Sequence, residues 1–159
     1  MSKTKTNVIR LLEAAKADFE LLEYEVDESD LSGDTAAAKM GIPPEQMFKT
    51  LVFRGEKNGT GVCCIPVHEE LDLKKAAKHF GEKKIEMLHV KDLLPTTGYI
   101  RGGCSPIGMK KKFPTAIDET ALLFDKIYVS AGARGETVKL SPQDLAEYVK
   151  ADFADLITV

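Results

Sequence analysis

The stretch of this 159-residue chain best suited to chemistry runs from Gly98 to Lys112, GYIRGGCSPIGMKKK. Glycines at 98, 102, 103 and 108, with Pro106, cannot hold a regular helix or strand. Such a loop presents backbone N–H groups to an anion or a developing oxyanion, and the lysines behind it add positive potential. Its other use is a tight turn packed beneath a sheet. A phosphate loop of the Walker type is excluded. Gly103 and Gly108 have the required gap, but Met109 stands where the lysine belongs, and no Ser or Thr follows Lys110.

A second signal is Lys49 inside the apolar run Phe48-Lys49-Thr50-Leu51-Val52-Phe53. Burying an ammonium costs several kcal/mol unless it is paired or wet. Lys49 therefore either points into a cleft as a contact for a carbonyl or phosphate oxygen, or snorkels from an edge strand. Strand alternation puts Lys49 and Leu51 on one face and Phe48 and Thr50 on the other. A third signal is Val129-Ser130-Ala131-Gly132-Ala133-Arg134-Gly135, where Ser130 offers a hydroxyl and Arg134 a phosphate clamp. A hairpin turn needs those glycines for backbone reasons alone.

Nucleophile and metal chemistry are weakly supported. Cys63, Cys64 and Cys104 have His68, His79 and His89 as potential partners, but a reactive thiol needs a depressed pKa that spacing does not supply. His68 and His79 are eleven residues apart, unlike metal-ligand spacing. Asp72 and Asp118 form no recognisable carboxylate pair. An enzyme of this sequence would work by positioning and electrostatics.

The elements around these residues are those of one domain, residues 1–159, long enough to fold without staples. The net charge is −3, which excludes a generic basic nucleic-acid binder. The distribution is polarised nonetheless. Residues 13–45 carry ten acids against two lysines, a net of −8, and residues 73–117 carry ten bases against three acids, a net of +7. A concentrated positive region recruits polyanions that the average charge would not. The N-terminal segment has no secretory pattern, and no apolar run spans a bilayer. Three cysteines, two of them adjacent, read as reduced thiols of a cytoplasmic protein.

Periodicity predicts a helix from Thr6 or Asn7 through Ala15, a strand at 19–26, and a short helix at 35–40 stopped by Gly41. A hairpin at 48–53 and 61–67 follows, then a helix at 73–80, a strand at 84–88 and a helix at 90–94. Strands at 115–118, 126–130 and 137–140 precede a helix from Ser141-Pro142 to about Lys150. The fold class is mixed α/β, of α+β type, with a mixed or largely antiparallel sheet and peripheral helices.

Four motifs in register carry a resemblance: Phe48-Lys49-Thr50-Leu51, Leu73 to Lys78, Gly98-Tyr99 with Gly102 to Lys111, and Tyr128 to Gly135. The chain resembles, over nearly its whole length, the YbaK/EbsC family of free-standing aminoacyl-tRNA deacylases. That family is related to the editing insertion of bacterial prolyl-tRNA synthetases. The resemblance implies a barrel-like sheet with surrounding helices, and removal of cysteine from tRNA(Pro), with Cys-tRNA(Cys) as a further substrate. Another amino acid such as alanine, or a non-catalytic tRNA- or protein-binding role, is the alternative. Lys49 matches the family's essential lysine, Tyr24 a pocket tyrosine, Ser130 a pocket serine, and Gly103 or its neighbour Gly102 the backbone facing the substrate carbonyl. Cys104, Ser105, Gly132 and Arg134 fall in the same substrate-binding motifs, and Lys74, Lys75, Lys110, Lys111 and Lys112 would contact phosphates of the acceptor end. Two departures stand out: Cys104 replaces an aliphatic residue, and Thr137 stands near an aspartate of a close relative. The implied chemistry is attack by the substrate's own thiol, with Cys104 as a wall. The implied partners are aminoacyl-tRNA and prolyl-tRNA synthetase, with no cofactor, metal or membrane.

Overall fold

The computed structural model describes residues 5–159. The described elements follow in the order α1 (Asn7–Ala14), β1 (Phe19–Glu23), α2 (Gly33–Met40), β2 (Phe48–Gly55), β3 (Gly59–Pro66), α3 (Leu73–His79), β4 (Ile85–Met87), α4 (Val90–Thr97), β5 (Thr115–Asp118), β6 (Ile127–Ser130), β7 (Glu136–Leu140), α5 (Pro142–Val149) and β8 (Asp152–Ala154). Hydroxyl and carboxylate caps start four helices. Thr6, Ser32, Asp72 and Ser141 each accept a backbone N–H from the first turn.

The strands form two sheets. One is the antiparallel order β1-β7-β6, and the other is β4-β2-β3-β5-β8 with parallel β3/β5 and β5/β8 pairs. The fold is thus mixed α/β, but the sheets do not close into the expected barrel. β6 touches the edge of β2 through a single parallel bridge, Met47 to Tyr128, and then parts from it. On β2, Phe48 joins the core that α1 and α5 share with both sheets, whereas Leu51 and Phe53 pack with Ala76 and Ala77 of α3. Alternation along β2 runs as its sequence predicts.

Element ends shift by a few residues, as where β1 stops at Glu23 short of the expected 26 and α2 starts at Gly33 ahead of 35; two elements differ more. Helix α4 continues through Pro95 to Thr97 and stops at Gly98, whose φ of 89° suits a left-handed cap. Pro95 is tolerated because it is exposed, so water can reach the carbonyl it leaves unbonded. Strand β8 was not legible at three residues; it exists because β5 offers a free edge to Asp152–Ala154.

Candidate functional site

Where β6 leaves β2, a cavity of about 440 Å³ opens. Its wall combines β2 (Phe48 to Val52), Tyr24 after β1, Gly102 and Cys104 from the glycine loop, and Ser130 and Thr137 from the β6–β7 hairpin. Leu88, Val90 and Leu93 line an apolar side. Lys49, the glycine loop and the end of β6 therefore share one space, although they lie far apart along the chain.

Lys49 lies partly buried on this wall, and no carboxylate among the described residues pairs with it. An ammonium held on an apolar strand without a counter-ion is stabilised only by water, and so is available to an incoming oxygen. Ser130 Oγ accepts the Gly132 N–H at 3.1 Å, which fixes the hydroxyl at the cavity edge. Thr137 lies opposite Ser130 in the ladder and lines the same space. Tyr24 is anchored by its N–H to the Gly135 carbonyl at 2.9 Å.

The glycine loop divides its labour. Gly102, at φ 86°, lines the cavity. Gly103 is buried against the backbone of Ala133 and Arg134, where a Cβ would come within 3.2–3.3 Å, and its N–H is spent on the Ile100 carbonyl at 3.0 Å. Ser105 is fully buried and accepts the Ile107 N–H at 3.2 Å, while the Tyr99 hydroxyl donates to the Ile107 carbonyl. Gly132 packs against Val8 and Tyr99. Gly103, Ser105 and Gly132 thus shape the loop and lie off the cavity wall.

Arg134 is also committed. Its Nη1 pairs with Glu28 Oε2 at 2.8 Å, and its Nε donates to the Arg101 carbonyl at 2.8 Å. One guanidinium ties together the loop before α2, the glycine loop and the β6–β7 turn, the three segments that rim the cavity. Thr6 adds a second tie by donating to the Ala131 carbonyl at 2.7 Å.

Burial pushes the thiols up: Cys104 and Cys64 to about 12, and Cys63 higher still, beside Cys64. Of the three, Cys104 alone lines the cavity, and it is a protonated wall at neutral pH. The expected phosphate-contacting lysines are scattered. Lys75 pairs with Asp155 at 3.0 Å and donates to the Ile157 carbonyl at 2.8 Å. Lys74 is exposed on α3 and Lys110 reaches the Pro95 carbonyl at 3.5 Å, while Lys111 and Lys112 are exposed beyond the glycine loop. None of these five lines the cavity. Arg101 does, exposed at the rim; it was legible only as one more base in a basic stretch. The apolar wall from β4 and α4 carried no chemical signal in the sequence.

Comparison with known proteins gives the family and the fold. A family model described as the aminoacyl-tRNA editing domain matches residues 30–148. A protein of Enterococcus faecalis named as a candidate Cys-tRNA(Pro)/Cys-tRNA(Cys) deacylase, EbsC, is 48% identical over 157 residues, covering 99% of this chain and 96% of its own. A proline–tRNA ligase of Streptomyces griseus is 31% identical over 80 residues, which is 49% of this chain and 14% of the ligase. A solved structure described as a candidate trans-editing enzyme for prolyl tRNA synthetase superposes with a TM-score of 0.83 at 24% identity, covering 99% of this chain and 100% of that one. Another, of the hypothetical protein APE2540, gives 0.86 at 22% identity and covers 96% of this chain and 100% of that one. By sequence, the chain belongs to the aminoacyl-tRNA editing domain family.

Proposed function

We propose that this protein removes cysteine from mischarged tRNA(Pro), acting in trans on the aminoacyl ester, and that Cys-tRNA(Cys) is a second substrate. The observation that carries the reading is the convergence of Lys49, Tyr24, Gly102 and Ser130 on one cavity whose only thiol, among the described residues, is held protonated. The name of the Enterococcus relative supports the same substrate.

The chemistry asks the protein for geometry and charge. The cysteinyl sulfur bonds to the ester carbonyl carbon, and the bond from that carbon to the ribose oxygen breaks. The thiol proton ends on the ribose oxygen, so a cyclic thiolactone and free tRNA leave together. Lys49 faces the charge that develops on the carbonyl oxygen, and Gly102 lets the chain approach the ester closely. Because the thiol and the carbonyl already belong to one molecule, the protein has only to hold the near-attack rotamer and to stabilise the developing oxyanion. Lys110, Lys111, Lys112 and Lys74 contact acceptor-end phosphates, which fixes register without reading sequence. Choice of tRNA then falls to a partner of the prolyl-tRNA synthetase type, in keeping with the partial match to a proline–tRNA ligase.

Release of amino acid from Cys-, Ala- and Pro-charged tRNA(Pro) tests this. Cysteine should leave fastest with wild type and at background with Lys49→Ala. Faster release of alanine would replace the substrate, and no release of any would replace the enzyme with a binding module.

A further inference from the structure

The edge of β2 that faces the cavity is occupied at two places. Upstream, Met47 is bridged by Tyr128 of β6; downstream, the Val52 carbonyl accepts the Leu88 N–H at 2.9 Å. Every second residue of a strand presents its N–H and C=O to the same edge. The Val52 bond therefore fixes the direction of Thr50, whose N–H and C=O both face the cavity, while Lys49 and Leu51 pair with β3. Strand β4 pairs with β2 only over Phe53 to Gly55, and no hydrogen bond reaches the Thr50 N–H or C=O among the described residues. Thr50 itself lines the cavity. The sheet edge thus has a window centred on Thr50, between the Tyr128 bridge and the Leu88 bond.

An α-aminoacyl ester offers, across one Cα, an ammonium donor and a carbonyl acceptor. This is the pattern of one strand residue. Resting on the deacylase reading, we propose that the aminoacyl group docks in this window as a one-residue antiparallel bridge. The Thr50 N–H donates to the ester carbonyl oxygen, and the substrate's α-ammonium donates to the Thr50 carbonyl. Antiparallel polarity sends the ester end towards the β6 side, where Ser130 and Gly102 line the cavity. Recognition then belongs to main chain and is indifferent to the side chain, so the thiol is left free to turn onto the carbonyl. It also demands a free α-ammonium, which excludes N-acylated aminoacyl esters and peptidyl-tRNA.

The test is an amide-resolved NMR titration of the ¹⁵N-labelled protein with 3′-cysteinylamido-3′-deoxyadenosine, which binds without being cleaved as an ester. The Thr50 amide should shift and its hydrogen exchange should slow at least tenfold, while the Lys49 and Leu51 amides, already bonded to β3, keep their exchange rates. Shifts that skip Thr50, or none at saturating analogue, overturn the bridge. A second arm uses Thr50→Pro, which deletes an N–H only on the open edge, a place where sheets accept proline. Its kcat/KM on Cys-tRNA(Pro) should fall at least tenfold, and retention of wild-type kcat/KM also overturns the bridge. Failure of the underlying reading shows separately, as wild-type protein that binds the analogue at Thr50 yet releases no cysteine from Cys-tRNA(Pro).

Discussion

Lys49 and Lys75 are one side chain in two settings. Lys75 sits on the surface of α3 and spends its ammonium on Asp155 and the Ile157 carbonyl, tying α3 to the C-terminal segment. Lys49 sits on an apolar strand at a cavity and pairs with no carboxylate among the described residues. The first is a structural contact and the second is a held-back charge. Net charge by segment counts Lys75 and its neighbours as the electropositive region, yet the cation best placed to act lies outside it. What separates the two lysines is whether the fold has already used the charge.

The largest effect separating these settings is expected at Lys49. Lys49→Ala should lower kcat on Cys-tRNA(Pro) by about 100-fold or more, the usual loss when a positioned charge at an oxyanion is removed. The same variant should keep or raise Tm, since a partly buried cation without a partner costs stability. Loss of Tm alongside activity would make Lys49 another structural lysine.

Next comes Arg134. Arg134→Ala releases three rim segments at once and should cost about 10- to 100-fold in kcat/KM through misplacement of the site. Because the guanidinium acts through Glu28 and the Arg101 carbonyl, Glu28→Gln should give a smaller loss of the same kind. Intact activity in Arg134→Ala would detach the strap from function.

Removal of Lys110, Lys111 and Lys112 together should raise KM and flatten the salt dependence of tRNA binding, by about 0.7 in slope for each phosphate left without its lysine. Lys75→Ala should leave both unchanged and lower stability by about 1 kcal/mol, as measured by urea unfolding. A salt slope that responds to Lys75 instead would reverse the assignment.

The smallest effect concerns pH. Burial holds the Cys104 thiol at about 12, so it stays protonated from pH 6 to 9 and contributes no inflection there. Any rise in rate across that window belongs to the substrate thiol, and Cys104→Ala should leave the shape of the pH–rate profile intact. A lost inflection would make Cys104 a participant.

Much of this was legible in the sequence because local rules govern it. Alternation along 48–53 put Lys49 beside Leu51, glycines at 102 and 132 marked turns, and Ser141-Pro142 started a helix where one begins. The rest depended on how loop groups turn once packed. The Gly103 N–H closes a local turn onto the Ile100 carbonyl and its backbone packs against Ala133 and Arg134, far along the chain, so Gly102 and not Gly103 lines the cavity. Ser105 and Arg134 have the right chemistry for ligands but are bonded to loop partners. The apolar wall at Leu88, Val90 and Leu93 was invisible because aliphatic residues signal core and cleft alike.

In the proposed reaction the protein supplies geometry and charge, and the substrate supplies the nucleophile. Comparing release from Cys-tRNA(Pro) and Ser-tRNA(Pro) probes that division of labour without touching the protein, because the two substrates differ by sulfur for oxygen at nearly constant shape. Cysteine should be released at least about 100-fold faster, since a thiol is far the better nucleophile. Equal rates would mean that the protein or an activated water attacks the ester, and would contradict attack by the substrate thiol.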